Sequence, residues 1–137
     1  MIKVIKYHFL IVLLALIFIP SNAYPGSSQK ESAKYFSFSI KANNQATILQ
    51  NGDGSLSEIM EYRKKAYTYS NMVKREDLNK RLPGLGDKYF DLFNTGLRLQ
   101  IKGFMSEDNE KLLKGQILVS QWGQWYMEHI NEIRKKR

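Results

Sequence analysis

Residues 87–104 decide the fold, and their sequence is DKYFDLFNTGLRLQIKGF. Large apolar side chains recur there every three or four positions, at Phe90, Phe93, Leu97, Ile101 and Phe104. An α-helix turns once in about 3.6 residues, so this spacing places them on one face. Asp87 is well suited to cap the start of that helix. The stretch therefore predicts an amphipathic helix that packs against a core.

A further helix is predicted from Ser106 to about Lys135. Its apolar side chains form one stripe, at Leu112, Val119, Tyr126, Ile130 and Ile133. Acidic residues follow Ser106 directly and basic residues end the chain, as the helix macrodipole favours. Each of these two helices carries two glycines near one face: Gly96 and Gly103 in one, Gly115 and Gly123 in the other. The glycines predict that the two helices approach each other closely.

The first helix of the predicted bundle begins after residues 51–54 (NGDG), which break the chain. Ser55 lies three residues before Glu58, the spacing of a capping box. Apolar residues at helical spacing extend the helix from Leu56 into the seventies, and the segment up to Leu82 is compatible with its continuation. Residues 83–86 (PGLG) end it.

Residues 35–50 precede these helices and allow two interpretations. Phe36, Phe38 and Ile40 alternate with serines, which is typical of a half-buried strand, and residues 47–49 could return as the second strand of a hairpin. A helix would instead place Ala33, Phe36 and Ile40 on one face. We favour the strand.

The predicted fold is mainly α, a small single-domain bundle of about three helices preceded by an extended segment or β-hairpin, with an α+β fold left open. Residues 24–34 are predicted to be a flexible N-terminal arm, and residues 35–137 a single helical domain. The 137-residue length and the 43% hydrophobic content agree with one packed domain.

Residues 1–23 have the features of a cleavable signal peptide. Lys3 and Lys6 precede an apolar run over residues 9–19, and Ser21 and Ala23 are the small residues expected before a cleavage site. The alternative is an uncleaved anchor, but the run spans about 17 Å of a hydrocarbon core of about 30 Å. We therefore expect export to the periplasm or the extracellular space, in a bacterial host.

The composition excludes several kinds of chemistry. The chain has no cysteine and two histidines, so thiolate sites and histidine-rich metal sites are excluded. Residues 49–60 partly resemble a calcium loop, but Leu49 and Met60 occupy the positions of its end ligands. We expect a turn and a helix cap there instead. No catalytic residues and no cofactor are predicted.

An aromatic row on the last predicted helix is the candidate partner-binding surface. It consists of Leu118, Trp122, Trp125 and His129. Tryptophan is enriched in binding hot spots, although burial of the row beneath another element is the plainer interpretation. Since the stripe from Leu112 to Ile133 already supplies a core, at least one tryptophan is expected to be spare. Trp122 is the stronger candidate for the residue that the core does not need, because it lies beside Gly123, where the helix is expected to approach its neighbour closely.

The basic residues are the second candidate site. The net charge is +8, and such a field attracts anionic lipid or an anionic envelope polymer. Nucleic acid is an improbable ligand for an exported protein. The candidate residues are Arg63, Lys64, Lys65, Lys74, Arg75, Lys80, Arg81, Arg134, Lys135, Lys136 and Arg137.

These observations favour a non-catalytic protein-interaction module, such as an accessory, adaptor or inhibitor protein, whose partner is another envelope or extracellular protein. The alternative is a peripheral binder of anionic envelope surfaces, and an enzyme ranks third. Association with further copies of the chain is left open by the sequence.

Overall fold

The computed structural model of the chain describes residues 27–135. The predicted signal peptide lies outside these residues, as do the first part of the predicted arm, Lys136 and Arg137. The helices are α1 (Ser27–Asn51), α2 (Leu56–Ser70), α3 (Arg75–Arg81), α4 (Leu85–Lys88), α5 (Thr95–Met105) and α6 (Asn109–Lys135), with a π-helical segment (Tyr89–Asn94) joining α4 to α5.

Between residues 27 and 135 the secondary structure is helical, without a strand. The prediction of a mainly α bundle is thus confirmed. The expected count of about three helices is too low, because there are five when α4, the π-helical segment and α5 are counted as one.

The predicted strand or hairpin over residues 35–50 is wrong, because this segment belongs to α1. Phe36 and Ile40 are buried at helical spacing, and polar Asn43 and Thr47 continue the same face. Polar side chains can be buried there because they make hydrogen bonds: Ser39 Oγ donates to Phe36 O at 2.7 Å and Thr47 Oγ1 to Asn43 O at 3.1 Å. The helix starts at Ser27 and therefore also includes residues 27–34 of the predicted arm.

The boundaries around α2 and α3 follow local hydrogen bonds. Ser55 caps α2 by accepting from Glu58 N at 3.2 Å, as predicted. The helix ends at Ser70, and a short turn separates it from α3, so it does not continue to Leu82. Residues 83–84 then end α3 as expected, with Gly84 in the left-handed region at φ 88°.

The next helix begins earlier than predicted and continues into the π-helical segment. The helix begins at Leu85, so Asp87 lies within its first turn rather than at its cap, and its carboxylate accepts from Arg75 instead. The wider π turn places both Tyr89 and Phe93 in the core, with their rings stacked 5.1 Å apart. Tyr89 was not part of the predicted apolar stripe.

Helices α5 and α6 approach closely, as their glycines predict. A Cβ atom on Gly115 would lie 2.5 Å from Gly96 O, and one on Gly103 would lie 2.5 Å from Leu112 N. The turn between the helices comprises residues 106–108, and Asp108 Oδ1 accepts from Lys111 N at 3.0 Å. Asp108 rather than Ser106 therefore caps the start of α6.

An aromatic centre lies where α1, the π-helical segment and α6 meet. It consists of Phe36, Tyr89, Phe93, Trp122 and Tyr126. The ring centroids of Phe36 and Tyr89 are 5.0 Å apart, and those of Tyr89 and Trp122 are 5.4 Å apart. Such tilted and edge-on contacts are favourable arrangements for aromatic rings.

Candidate binding surfaces

An open groove lies between α1 and α2. Its volume is about 360 Å³, within the range of about 300–1,000 Å³ typical of ligand sites. The residues that line it are Phe38, Lys41, Ala42 and Gln45 of α1 and Tyr62 and Tyr69 of α2. The groove combines aromatic rings with an ammonium and an amide group.

The helical conformation of α1 explains why the groove is aromatic. Successive residues of a helix are rotated by about 100°, so Phe36 and Phe38 point in nearly opposite directions. Phe36 enters the aromatic centre, whereas Phe38 is 36% exposed. The Phe38 ring packs against Tyr69, with centroids 5.4 Å apart, and against Tyr35, with centroids 6.0 Å apart. Its neighbours hold Phe38 in place while leaving part of the ring accessible.

Lysines surround these rings. Lys34 Nζ lies 5.3 Å from the centroid of the Tyr35 ring and 5.8 Å from that of Phe38, and Lys65 Nζ lies 5.4 Å from that of Tyr62. These are cation–π distances. With Lys41 in the lining, the positive charges favour an anionic group on whatever occupies the groove.

The predicted aromatic row of α6 is divided between the core and its edge. Trp122 is 1% exposed and lies in the aromatic centre, so its assignment as an exposed contact residue is wrong. The other three residues of the row, Leu118, Trp125 and His129, are half-buried. Trp125 and His129 stack at 4.2 Å, and His129 Nδ1 lies 2.8 Å from Trp125 O. The stripe from Leu112 to Ile133 is not the whole buried face of α6, because Trp122 also packs against Phe36 of α1 and against Tyr89 and Phe93 of the π-helical segment.

Arg63 is the main correction to the predicted basic surface. It is 2% exposed, because its side chain enters the interface between α1 and α2. Nη1 donates to the backbone and side-chain oxygens of Asn43 and to Thr47 Oγ1, and Nη2 donates to Gln50 Oε1 at 2.7 Å. Burial lowers the pKa of Arg63 to about 10, so the guanidinium stays charged at neutral pH. It is a structural residue and cannot contact an anionic surface.

The other predicted basic residues differ in their surroundings. Lys64, Lys65, Lys74, Arg75, Lys80 and Arg134 are exposed, Arg81 is half-buried, and the side chains of residues 135–137 lie outside the described part of the chain. Arg75 binds Asp87 at 2.9 Å and Asp91 at 3.3 Å. The hydrogen bond to Asp87 raises the pKa of Arg75 and lowers that of Asp87. Its charge is therefore partly neutralised within the domain.

The aromatic groove was not predicted. The predicted strand separates Phe38 from Lys41 and Gln45. In a helix, residues 38, 41 and 45 share one face, and this spacing is the signal that could have identified the α1 side of the groove. The tyrosines of α2 lie at positions 62 and 69, two turns apart, on the side of α2 that meets it.

Residues 27–135 contain no group of three or more His, Asp or Glu side chains that could hold a metal ion. None of the helices formed by these residues is long and apolar enough to cross a membrane. Comparison of the chain with family models, curated proteins and solved structures gives no match. The function is therefore inferred from the residues themselves.

Proposed function

We propose that the protein is an exported, non-catalytic interaction module that binds a protein partner in the groove between α1 and α2. The observation that supports this most is the partly exposed Phe38 ring, held between Tyr35 and Tyr69. Aromatic side chains that are positioned before binding lose little conformational freedom when a partner covers them. Export is part of the proposal because residues 1–23 have the composition of a signal peptide.

The groove fits an acidic segment that carries apolar side chains. Phe38, Tyr62 and Tyr69 supply apolar contact, while Lys34, Lys41 and Lys65 supply positive charge around it. Two helices with an apolar groove between them are a common docking site for an amphipathic peptide. The proposed occupant is therefore a segment of another envelope or extracellular protein that forms an amphipathic helix, with apolar residues at helical spacing and acidic residues beside them.

A fluorescence-anisotropy titration tests the proposal with a labelled peptide that has leucines at helical spacing and glutamates elsewhere, and with a counterpart in which lysines replace the glutamates. We expect the acidic peptide to bind, and Phe38→Ala to weaken that binding at least tenfold. Ile117→Ala is the matched control, since Ile117 is an exposed apolar residue of α6 away from the groove. Equal binding of both peptides, or an equal loss in the Ile117 variant, would contradict the proposal.

A crosslinking experiment then examines the natural partner. A photoreactive phenylalanine analogue at position 38 should give an adduct in cells that export the protein, and the same analogue at position 117 should not. The captured protein supports the proposal if its purified form binds the wild-type chain and loses affinity for both Phe38→Ala and Lys41→Glu. Unchanged affinity for these variants would place the contact elsewhere.

A further inference from the structure

Helices α1 and α2 pack antiparallel, and the exposed residues of α1 follow one narrow stripe. Arg63 Nη1 donates to Asn43 O at 3.2 Å, so residue 63 is level with residue 43. The Tyr69 ring, 5.4 Å from that of Phe38, marks a second level. Between residues 32 and 50 the exposed residues are Lys34, Phe38, Lys41, Gln45 and Ile48. They alternate in steps of four and three, the spacing of contact positions between packed helices, although no element formed by residues 27–135 covers them.

The exposed charges of this helix pair are separated into a basic half and an acidic half. In the basic half, which includes Phe38, the exposed charged residues are Lys30, Glu31, Lys34 and Lys41 of α1 and Lys64 and Lys65 of α2. Residues 42–62 contain no lysine or arginine, and their acidic residues, all of them exposed, are Asp53, Glu58 and Glu61. Lysines therefore dominate one half, and carboxylates are the only charged groups of the other.

A twofold rotation makes the two halves complementary. An axis that crosses the face at the level of residues 43 and 63 places position 38 of one copy opposite position 48 of the other. Phe38, which is 36% exposed, then meets Ile48, which is 49% exposed. On α2 the same rotation places Lys65 opposite Glu61. Each contact is made twice, because a twofold interface uses the same surface of both copies.

We propose that a second copy of the chain docks on this face in the antiparallel arrangement and covers the groove between α1 and α2. The inference rests on the proposed function, because the acidic half of the second copy has the chemistry of the proposed occupant. It is helical and acidic, and it carries an exposed apolar side chain, Ile48. The dimer thereby regulates the groove, since a protein partner must displace the second copy before it reaches Phe38.

The size of the face predicts a weak dimer. Lys34 and Ile48 are 14 residues apart, which is about 21 Å along α1, and two helices side by side are about 20 Å wide. Each copy would bury about 400 Å², and the total of about 800 Å² is below the lower limit of about 1,200 Å² for stable interfaces. We therefore expect a dissociation constant on the order of 10 µM to 100 µM, weak enough for a partner to compete.

Sedimentation equilibrium of the full chain from about 1 µM to about 1 mM measures this dissociation constant. Ile48→Ala should raise it about tenfold or more, because the substitution removes an apolar contact from both halves of the interface. Ile117→Ala is the matched control, since Ile117 is an isoleucine of α6 that is 48% exposed. All variants keep the N-terminal segment, so any association through that segment is common to them.

Exchanged charges test the antiparallel arrangement itself. Lys65→Glu and Glu61→Lys should each weaken the dimer about tenfold, because each places like charges opposite one another at two contacts. An equimolar mixture of the two variants should dimerise as the wild type does, since opposite charges then meet at both contacts. The combined variant Glu61→Lys/Lys65→Glu should also recover the dimer. A mixture that associates no better than its two components would overturn the arrangement.

The dimer and the proposed function fail in different ways. A chain that stays monomeric up to about 1 mM, or equal effects of Ile48→Ala and Ile117→Ala, would overturn the dimer without affecting the binding of the acidic peptide. If monomeric Ile48→Ala did not bind that peptide, the proposed function would fail and the dimer would stand.

Competition tests the regulatory part of the proposal. We expect excess acidic peptide to dissociate the wild-type dimer, and a dimer that persists while the peptide binds would show that the two do not share the groove. All the substituted side chains are exposed, and thermal unfolding of each variant verifies that the fold is retained.

Discussion

Helix α1 is held on its two sides by different kinds of contact. Towards α2 it presents the polar interface, in which Asn43, Thr47 and Gln50 surround the buried Arg63. Towards α6 and the π-helical segment it presents Phe36, which packs on Tyr89 and Trp122. One helix thus takes part in a hydrogen-bonded interface at its C-terminal half and an aromatic centre nearer its N-terminus.

The two regions differ in how strongly their geometry is constrained. Hydrogen bonds to a guanidinium have restricted directions, so the polar interface fixes the register of α1 against α2. Burial of apolar area is not directional, and the aromatic centre supplies free energy more than register. The cost of the polar interface is a buried charge, which is compensated by neutral oxygens instead of a carboxylate. Substitutions in each region separate the contribution of the polar interface from that of the aromatic centre.

The largest effect is expected from Trp122→Ala in the aromatic centre. Truncation of a fully buried tryptophan leaves a large cavity and costs about 3–5 kcal/mol of the free energy of unfolding. Trp125→Ala should cost less, because Trp125 is half-buried. This order reverses the expectation from the sequence, in which Trp122 was the spare residue. Urea unfolding of both variants gives the comparison, and a greater loss for Trp125→Ala would show that the aromatic centre is wrongly assigned.

Trp122→Phe sharpens the same comparison. The indole N–H of Trp122 has no hydrogen-bond partner among the described residues, whereas the ring contacts Phe36, Phe93 and Tyr126. Phenylalanine keeps an aromatic ring and removes the unpaired donor, so this variant should recover much of the lost stability. A loss equal to that of the alanine variant would indicate that the indole is required for more than its area.

In the polar interface, Arg63→Met should destabilise the fold by about 1–3 kcal/mol. The methionine fills part of the space, but Asn43 Oδ1 and Gln50 Oε1 lose the donor that they share. Lys64→Met is the matched control, since Lys64 is the exposed neighbour and loses the same charge. Chemical unfolding of both variants measures the difference. If Arg63→Met were as stable as the wild type, desolvation of the guanidinium would outweigh its hydrogen bonds.

The aromatic centre could be predicted in part from the sequence, whereas the polar interface could not. The apolar stripes of the last two predicted helices and their glycines identified α5, α6 and the close approach between them. The buried face of α1 carries Phe36 and Ile40, but polar Ser39, Asn43, Thr47 and Gln50 share it, so its apolar stripe is too short to indicate a helix on its own. Arginine is rarely fully buried, and its sequence position gives no sign that α1 offers it acceptors. The groove was not predicted either, because its α1 side forms only when residues 38–45 are helical.

Alkaline pH should affect the two regions in opposite directions. Burial raises the pKa of Tyr89 and Tyr126 above their usual value, so the folded state retains their protons when the unfolded chain ionises near pH 10. Their contribution is complete below about pH 10 and decreases as the pH rises above it. Burial lowers the pKa of Arg63 to about 10, so the folded state releases that proton first and gains stability in the same range.

Two tyrosines oppose one arginine, so we expect a net loss of stability on the order of 1 kcal/mol between pH 10 and pH 11. Urea unfolding between pH 8 and pH 11 measures the decline, and absorbance at 295 nm reports the tyrosinates. In Arg63→Met the decline should be steeper, because the opposing contribution is gone. A gain of wild-type stability over this range would contradict the assignment of the two tyrosines to the buried centre.

The smallest effect is expected at the hydrogen bond between Ser39 Oγ of α1 and the Tyr89 hydroxyl of the aromatic centre, 2.6 Å apart. Ser39 has one hydroxyl proton and donates it to Phe36 O, so Tyr89 is the donor in this pair. Tyr89→Phe removes that donor and leaves Ser39 bonded, at a cost of about 0.5–1.5 kcal/mol. Ser39→Ala should cost more, because it leaves the Tyr89 hydroxyl buried without an acceptor. Unfolding curves of the two variants at pH 7 decide the order, and a larger loss for Tyr89→Phe would mean that the hydroxyl of Tyr89 serves a partner other than Ser39.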